Sequence, residues 1–354
     1  MFQILHDINI DWLGNRLWFI GISVLLMLAG LGSAIIRQAT GHQAFNLGVD
    51  FKGGTVVTAT FKQRPTDEQI RAALEEKGVN DAVVQSVRDN QDTVLIKVPL
   101  EGEGQDGRAR VREALNKFGQ EAAATVDLNA DPNAAYKIVG TDAVGSIAGA
   151  QLRNKAIAVT LAALVGILIY IAFRFEWTYG AAAVIAVFHD VLVTLGFFSI
   201  FQWEISLTVI AALLTLVGFS VNDTIVVFDR IRENRKLHRR DSLYKITNDA
   251  INQTLSRTII TNGLVFLSVL ALVLFGGDVL RAFSLALFIG VVFGTYSSIA
   301  IASPIMVWWE QRLEAANRQA ALAYNQPLSG PNRGGVRAPA KAAKAANRRA
   351  SAKL

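Results

Sequence analysis

The chain has 354 residues, of which 52% are hydrophobic and only 18% charged, and it contains no cysteine. That balance excludes an intrinsically disordered chain, and the missing thiols exclude disulfides, thiolate metal sites and cysteine nucleophiles. The formal net charge of +6 is local: residues 310–354 hold nine Lys/Arg against two Glu, so everything before them sums to minus one. What remains is the composition of a polytopic membrane protein.

In chain order, residues 1–16 (MFQILHDINIDWLGNR) place Phe2, Leu5, Ile8 and Trp12 near one helical face, which predicts a short interfacial helix. Leu17–Ile36 follows as a first span (17–36): 20 residues without a charge, enough to cross a hydrocarbon core of about 30 Å. A cleaved signal peptide would have a shorter apolar core and an A-x-A site, so a retained signal-anchor is expected.

Residues 37–152 contain the one sizeable polar region. Within it Thr55–Phe61 alternates and is β-branched, which predicts a strand. Thr66 and Gln69 have capping-box spacing ahead of a helix ending at Gly78. Ala82–Arg88 and Thr93–Leu100 predict two strands joined at Asp89–Asp92. Arg108–Phe118 predicts a second helix, and Tyr136–Val139 a last strand. The order β-α-β-β-α-β is that of a ferredoxin-like α+β domain.

The remaining chain, residues 153–309, predicts five more spans over 156–173, 179–201, 205–228, 258–277 and 282–309. A charged loop is expected at 229–256, in which Asp241-Ser242 could cap an interfacial helix, and a basic disordered tail at 310–354. The fold class expected is therefore a six-helix membrane protein with one α+β domain. Arg230–Ser256 carries seven Lys/Arg, while Gln202–Glu204 carries none. The positive-inside rule then sets both termini in the cytoplasm and residues 37–152 on the opposite side.

Two carboxylates lie inside apolar runs. A charge at that depth costs roughly 2.5–3.5 kcal/mol on insertion scales, so it needs a reason. Asp223 lies 18 residues from Ile205, about 27 Å at 1.5 Å per residue. Arg257 lies equally far from the outer end of the next, antiparallel span, so the two opposite charges are expected at similar depth. They predict a proton-binding pair, a static ion pair, or an Arg that snorkels to the interface. Asp190, next to His189, is a second candidate proton carrier, or a helix–helix contact. Asn222, Thr261 and Asn262 are expected as polar support. Ala286, Gly290, Gly294, Ser298 and Ala302 form a small-residue stripe that favours close helix packing. The glycines around Gly53-Gly54 permit tight turns but are followed by no phosphate-binding G-K-[ST]. With no G-x-S-x-G, H-E-x-x-H or Walker pattern, no enzyme, cofactor or metal site is expected.

Gly218–Asn234 (GFSVNDTIVVFDRIREN), Phe45–Gly54 (FNLGVDFKGG), Ser256–Thr261 (SRTIIT) and the FGG and FSLALFIG pieces of Leu274–Gly290 resemble the SecF family. The family consists of six-span accessory subunits of bacterial Sec export, and the resemblance covers residues 1 to about 312. It implies half of a resistance-nodulation-division type of membrane bundle in the inner membrane, with SecD supplying the other half. It also implies that proton flow drives preprotein movement, with sodium as the alternative ion. By the family pattern the essential Asp falls on Asp223 and its paired Arg on Arg257. The partners implied are a SecD-like subunit, the SecYEG translocon with YidC and YajC, and preproteins. The basic loop and tail suit anionic lipid, and without aromatic interleaving no specific nucleic-acid site is expected. Half of a proton-driven small-molecule exporter and a non-conducting translocon scaffold are the rival readings.

Overall fold

The computed structural model describes residues 9–79, 82–87, 92–99, 107–123, 125–174 and 176–325. Among the described residues, six helices are long and apolar enough to cross a membrane. They are α1 (Arg16–Ala39), α5 (Ser146–Arg174), α6 (Trp177–Phe201), α7 (Leu207–Leu237), α8 (Leu243–Phe275) and a final composite. The composite consists of α9 (Gly277–Ser297), a π turn over Ser298–Ala302, and α10 (Ser303–Asn325). The π turn has a local cause. Pro304 brings no N–H to the ladder, so the helix needs a wider turn just before it, and Ser303 Oγ donates to Ser298 O at 3.0 Å.

Between α1 and α5 lies the α+β domain. Its strands are β2 (Gly54–Phe61), β3 (Val83–Ser86), β4 (Thr93–Pro99) and β6 (Ala134–Val144), and its helices are α3 (Asp67–Glu76) and α4 (Gly107–Leu115). The strands order as β3-β4-β2-β6, each antiparallel to its neighbour, with the short β5 (Gln120–Glu121) parallel at the far edge. This is the ferredoxin-like order. The two helices cover one face, where Val57, Phe61, Ile70, Leu74, Ile96, Val111, Leu115 and Tyr136 form the core. Thr66 caps α3 with the full capping box its spacing predicts. The predicted turn at Asp89–Asp92 lies mostly outside the described residues.

Three expectations need correction. The 229–256 loop shrinks to residues 238–242, because α7 runs on to Leu237 and α8 starts at Leu243, with Ser242 Oγ accepting from Lys245 N at 3.3 Å. Charged residues with good helix propensity continue a helix past the end of an apolar run. For the same reason residues 310–325, expected in the disordered tail, are helical as part of α10; the rest of the tail is outside the described residues. Of the expected N-terminal interfacial helix, Phe2, Leu5 and Ile8 lie outside the described residues; residues 9–11 have no regular structure and 12–15 form a turn. It is pinned to the start of α8: Trp12 N donates to Asn248 Oδ1 at 2.9 Å, and Trp12 Nε1 to Asn252 Oδ1 at 3.1 Å. Tyr244 Oη also donates to Asp11, which, with the Gly14 N–H, holds that carboxyl below its usual range.

Two joints tie the domain to the spans. The two-residue β1 (Asn46–Leu47) pairs in parallel with β7 (Glu204–Ile205), which stands between α6 and α7. Next to it, Asp50 Oδ2 accepts the backbone N–H of Leu207 at 2.9 Å, and Lys97 pairs with Glu204. Gly53, at φ +81°, turns the chain from this joint into β2.

Candidate functional site

Asp223 sits midway along α7 on its buried face, 5% exposed. Its Oδ2 accepts a hydrogen bond from Ser298 Oγ at 2.8 Å, the first residue of the π turn. From α8, Thr258, Asn262 and Arg257 act on the same carboxylate. Thr258 Oγ1 is buried close to it without reaching hydrogen-bond geometry, and has no other hydrogen-bond partner among the described residues. Asn262 Nδ2 donates to Thr295 Oγ1 of α9 at 2.8 Å. The carboxylate therefore lies where α7, α8 and the π turn meet.

Arg257 is placed differently from the expected ion pair. It is exposed on α8 and reaches Asp223 through space, with no ion pair between them. Asn222 is also exposed, because the neighbour of a buried helical residue points about 100° away from it. Among the described residues Asn222 makes no hydrogen bond to the site. Thr261 is exposed and spends its hydroxyl on the carbonyls of Arg257 and Thr258, at 2.9 and 3.2 Å. Of the three expected support residues, Asn262 alone is buried at the site.

Asp190 of α6 is fully buried one layer away. Its Oδ1 faces His189 Nδ1 at 3.0 Å, and its Oδ2 accepts from Ser220 Oγ at 2.6 Å and Ser297 Oγ at 2.8 Å. Ser297 and Ser298 thus contact two different carboxylates. Sequence reasoning saw Ser298 as part of a packing stripe and did not single out Ser297. The available signal was polarity: Thr295, Tyr296, Ser297 and Ser298 are four consecutive hydroxyl residues in a run that is otherwise apolar.

The packing stripe does pack. Gly290 lies where any Cβ would strike the Leu216 side chain, and Gly294 lies against Ser220 and Asp190. Close approach of α9 to α7 is what brings the serines within reach of the carboxylates. On the opposite side of α6, Gly196 meets Gly30 of α1; a Cβ on Gly30 would fall 2.4 Å from Gly196 Cα. Among the described residues no cluster of His, Cys, Asp and Glu is arranged to hold a metal ion.

The fold and this site define a class: a polytopic membrane protein whose span bundle buries two carboxylates, fastened to an extramembrane ferredoxin-like domain. Comparison with known proteins narrows it. A sequence model for the C-terminal region of the protein export membrane proteins SecD/SecF matches residues 125–312, and one for the SecD/SecF GG motif matches residues 39–63. Protein translocase subunit SecF of Koribacter versatilis is 40% identical, covering 87% of this chain and 94% of its own length. The subunit of the same name from Escherichia coli O157:H7 is 41% identical, over 83% and 86%. The crystal structure of SecDF from Thermus thermophilus, described as a translocon-associated membrane protein, superposes with a TM-score of 0.71 at 36% identity. The match covers 86% of this chain and 39% of that one. The chain belongs to the SecF family of protein translocase subunits.

Proposed function

We propose that this chain couples the proton motive force to preprotein movement as the SecF-type half of a Sec accessory complex, with no catalytic chemistry of its own. One observation carries the reading: Asp223 is buried at the meeting point of α7, α8 and the π turn, and a serine hydroxyl is its direct hydrogen-bond partner. A carboxylate held by a neutral group can gain and lose a proton without breaking a salt bridge. Protonation removes its attraction to Arg257 and weakens its hold on Ser298, which biases the packing of α7 against α9. The driving ion in this reading is the proton, and no cofactor takes part.

The route outward runs along α7. Its first residues carry the joint to the domain through β7, Asp50 and the Lys97–Glu204 pair. The short loop at 238–242 lies among basic residues, which suits the cytoplasmic side and anionic lipid; both termini then lie inside and the α+β domain outside. The solved SecDF is more than twice the matched length, which supports a SecD-type partner supplying the remaining half. SecYEG, YidC, YajC and the preprotein complete the assembly.

The test substitutes Asp223→Asn in the full complex, verifies membrane insertion and partner binding, and measures export of a model preprotein with and without a proton gradient. The variant is expected to lose the stimulation by the gradient. A response equal to wild type would remove Asp223 from the coupling.

A further inference from the structure

His189 and Asp190 are buried titratable groups that the Asp223 site does not use. They are 4% and 0% exposed. Both oxygens of Asp190 are engaged, by His189 Nδ1, Ser220 and Ser297, and Gly294 of α9 presents no side chain toward Oδ2. Among the described residues, His189 is the chargeable group acting on Asp190. A bare anion beside a neutral imidazole would be an isolated buried charge, which is costly. The pair is neutral when it holds two protons, one on Nε2 and one between Nδ1 and Oδ1; with Nε2 bare it is an anion.

Asp223 is the second buried carboxylate, bound to the other member of the same serine pair. Ser220 and Asp223 are three residues apart on the buried face of α7, and Ser297 and Ser298 are consecutive. These two ties hold the carboxylates about one helical turn apart, on the order of 5 Å along the axis. Carboxylates that close in a dry site do not titrate independently. The other side of the pair faces α1. Gly196 packs on Gly30 and Ser199 Oγ donates to Ser33 Oγ at 3.3 Å, so the same register two turns earlier sets His189 level with Ser23. Ser23 is buried and donates to Tyr296 Oη at 3.2 Å, while Tyr296 Oη donates to Phe19 O. His189 Nε2, also buried, has no hydrogen-bond partner among the described residues.

We infer that His189 and Asp190 form a second proton-holding site that loads and unloads in alternation with Asp223, the two being linked through Ser297 and Ser298. A proton arriving at Nε2 forms a new N–H bond there. The Nδ1–H bond breaks as the Oδ1–H bond forms, and the imidazole ends neutral. When Asp223 takes up a proton its charge is cancelled, and the pair can release its own by the reverse steps. While Asp223 is an anion, a second anion beside it is disfavoured and the pair keeps its proton.

This rests on Asp223 being a proton-binding group, and its test reads protonation directly rather than export. Dicyclohexylcarbodiimide modifies protonated carboxyls in apolar sites. Its labelling of Asp223 and of Asp190 is followed against pH by mass spectrometry on the full complex in membranes. In Asp190→Asn the pH of half-labelling at Asp223 is expected to fall by about one unit, tenfold in proton concentration, the scale at which interacting sites show coupling. Asp223→Asn should lower the half-labelling pH of Asp190 by the same amount. His189→Gln, which leaves Asp190 without its imidazole and therefore neutral, should move Asp223 in the same direction; it serves if Asp190→Asn does not insert. An unchanged midpoint at Asp223 in inserted variants overturns the inference. Reciprocal shifts in a complex whose Asp223→Asn form still responds to the gradient would instead leave the pair standing and defeat the export reading.

Discussion

Ser297 and Ser298, neighbours in the chain, donate to carboxylates on two different helices: Ser297 to Asp190 of α6 and Ser298 to Asp223 of α7. The π turn makes this possible. Its wider spacing, set by Pro304, aims two successive hydroxyls into the gap between α6 and α7.

Removing one hydroxyl should therefore act on one carboxylate. Ser298→Ala leaves Asp223 short of its direct hydrogen bond, a loss of about 1–3 kcal/mol for a buried polar group. Gradient-stimulated export should drop, while insertion and partner binding persist. Ser298→Thr, which keeps the hydroxyl, should restore most of it. Equal export in Ser298→Ala and wild type would show that this bond is idle.

The Lys97–Glu204 pair fastens β4 to the α6–α7 turn, with each side chain 20% exposed. Half-shielded pairs of this kind are worth about 1 kcal/mol at most. Lys97→Glu and Glu204→Lys should each speed hydrogen exchange at the amides of residues 46–48, and the double variant should recover. No recovery would mean that the β1–β7 ladder holds without this pair.

Gly30→Ala should separate α1 from α6, because the new Cβ meets Gly196 Cα. Overpacking at such a contact costs about 1–3 kcal/mol. The thermal unfolding midpoint of the complex in detergent is expected to fall, whereas Gly32→Ala, in open space on the same helix, should leave it in place. Equal midpoints in the two variants would count against a tight crossing.

Tyr136 supplies a pH test in the α+β domain. Burial in the core, with the Glu121 carboxylate nearby, pushes its phenol from 10.0 up to about 12. Its hydroxyl donates to Asn116 Oδ1 at 2.9 Å and to Arg112 O at 3.2 Å. A folded-state value raised above the unfolded one gives a contribution that is complete below pH 10 and is lost as pH rises toward 12. Denaturant unfolding of the domain should weaken over that window in wild type, and Tyr136→Phe should flatten the dependence. An identical slope in the two proteins would place the alkaline sensitivity elsewhere.

The sequence made the carboxylates legible because a charge in an apolar run has no ordinary explanation. Asp223, Asp190 and the α+β order could all be read from it. Their hydrogen-bond donors could not, since a serine in a span reads as a small packing residue until the neighbouring helix is in place. Asn222 misled for a related reason: the next residue on a helix points about 100° away. Hydropathy marked where α7 and α8 leave the apolar zone but not where they end, because DRIRENRKL continues a helix as readily as it meets water. The two-residue strands β1 and β7 carry no pattern of their own and exist only as each other's partner.

The crossing at Gly30 and Gly196 has a mechanical consequence. α1 leads into β1, and α6 leads into β7. The helices touch at the glycines and the strands pair at their ends. Helices and strands thus close a ring, interrupted by the short connections 40–45 and 202–203. The near end of the domain is held on that ring, and its far end passes into α5 through the single residue Gly145. A change in the packing of α1 on α6 therefore bears on the domain through β1 and β7 together.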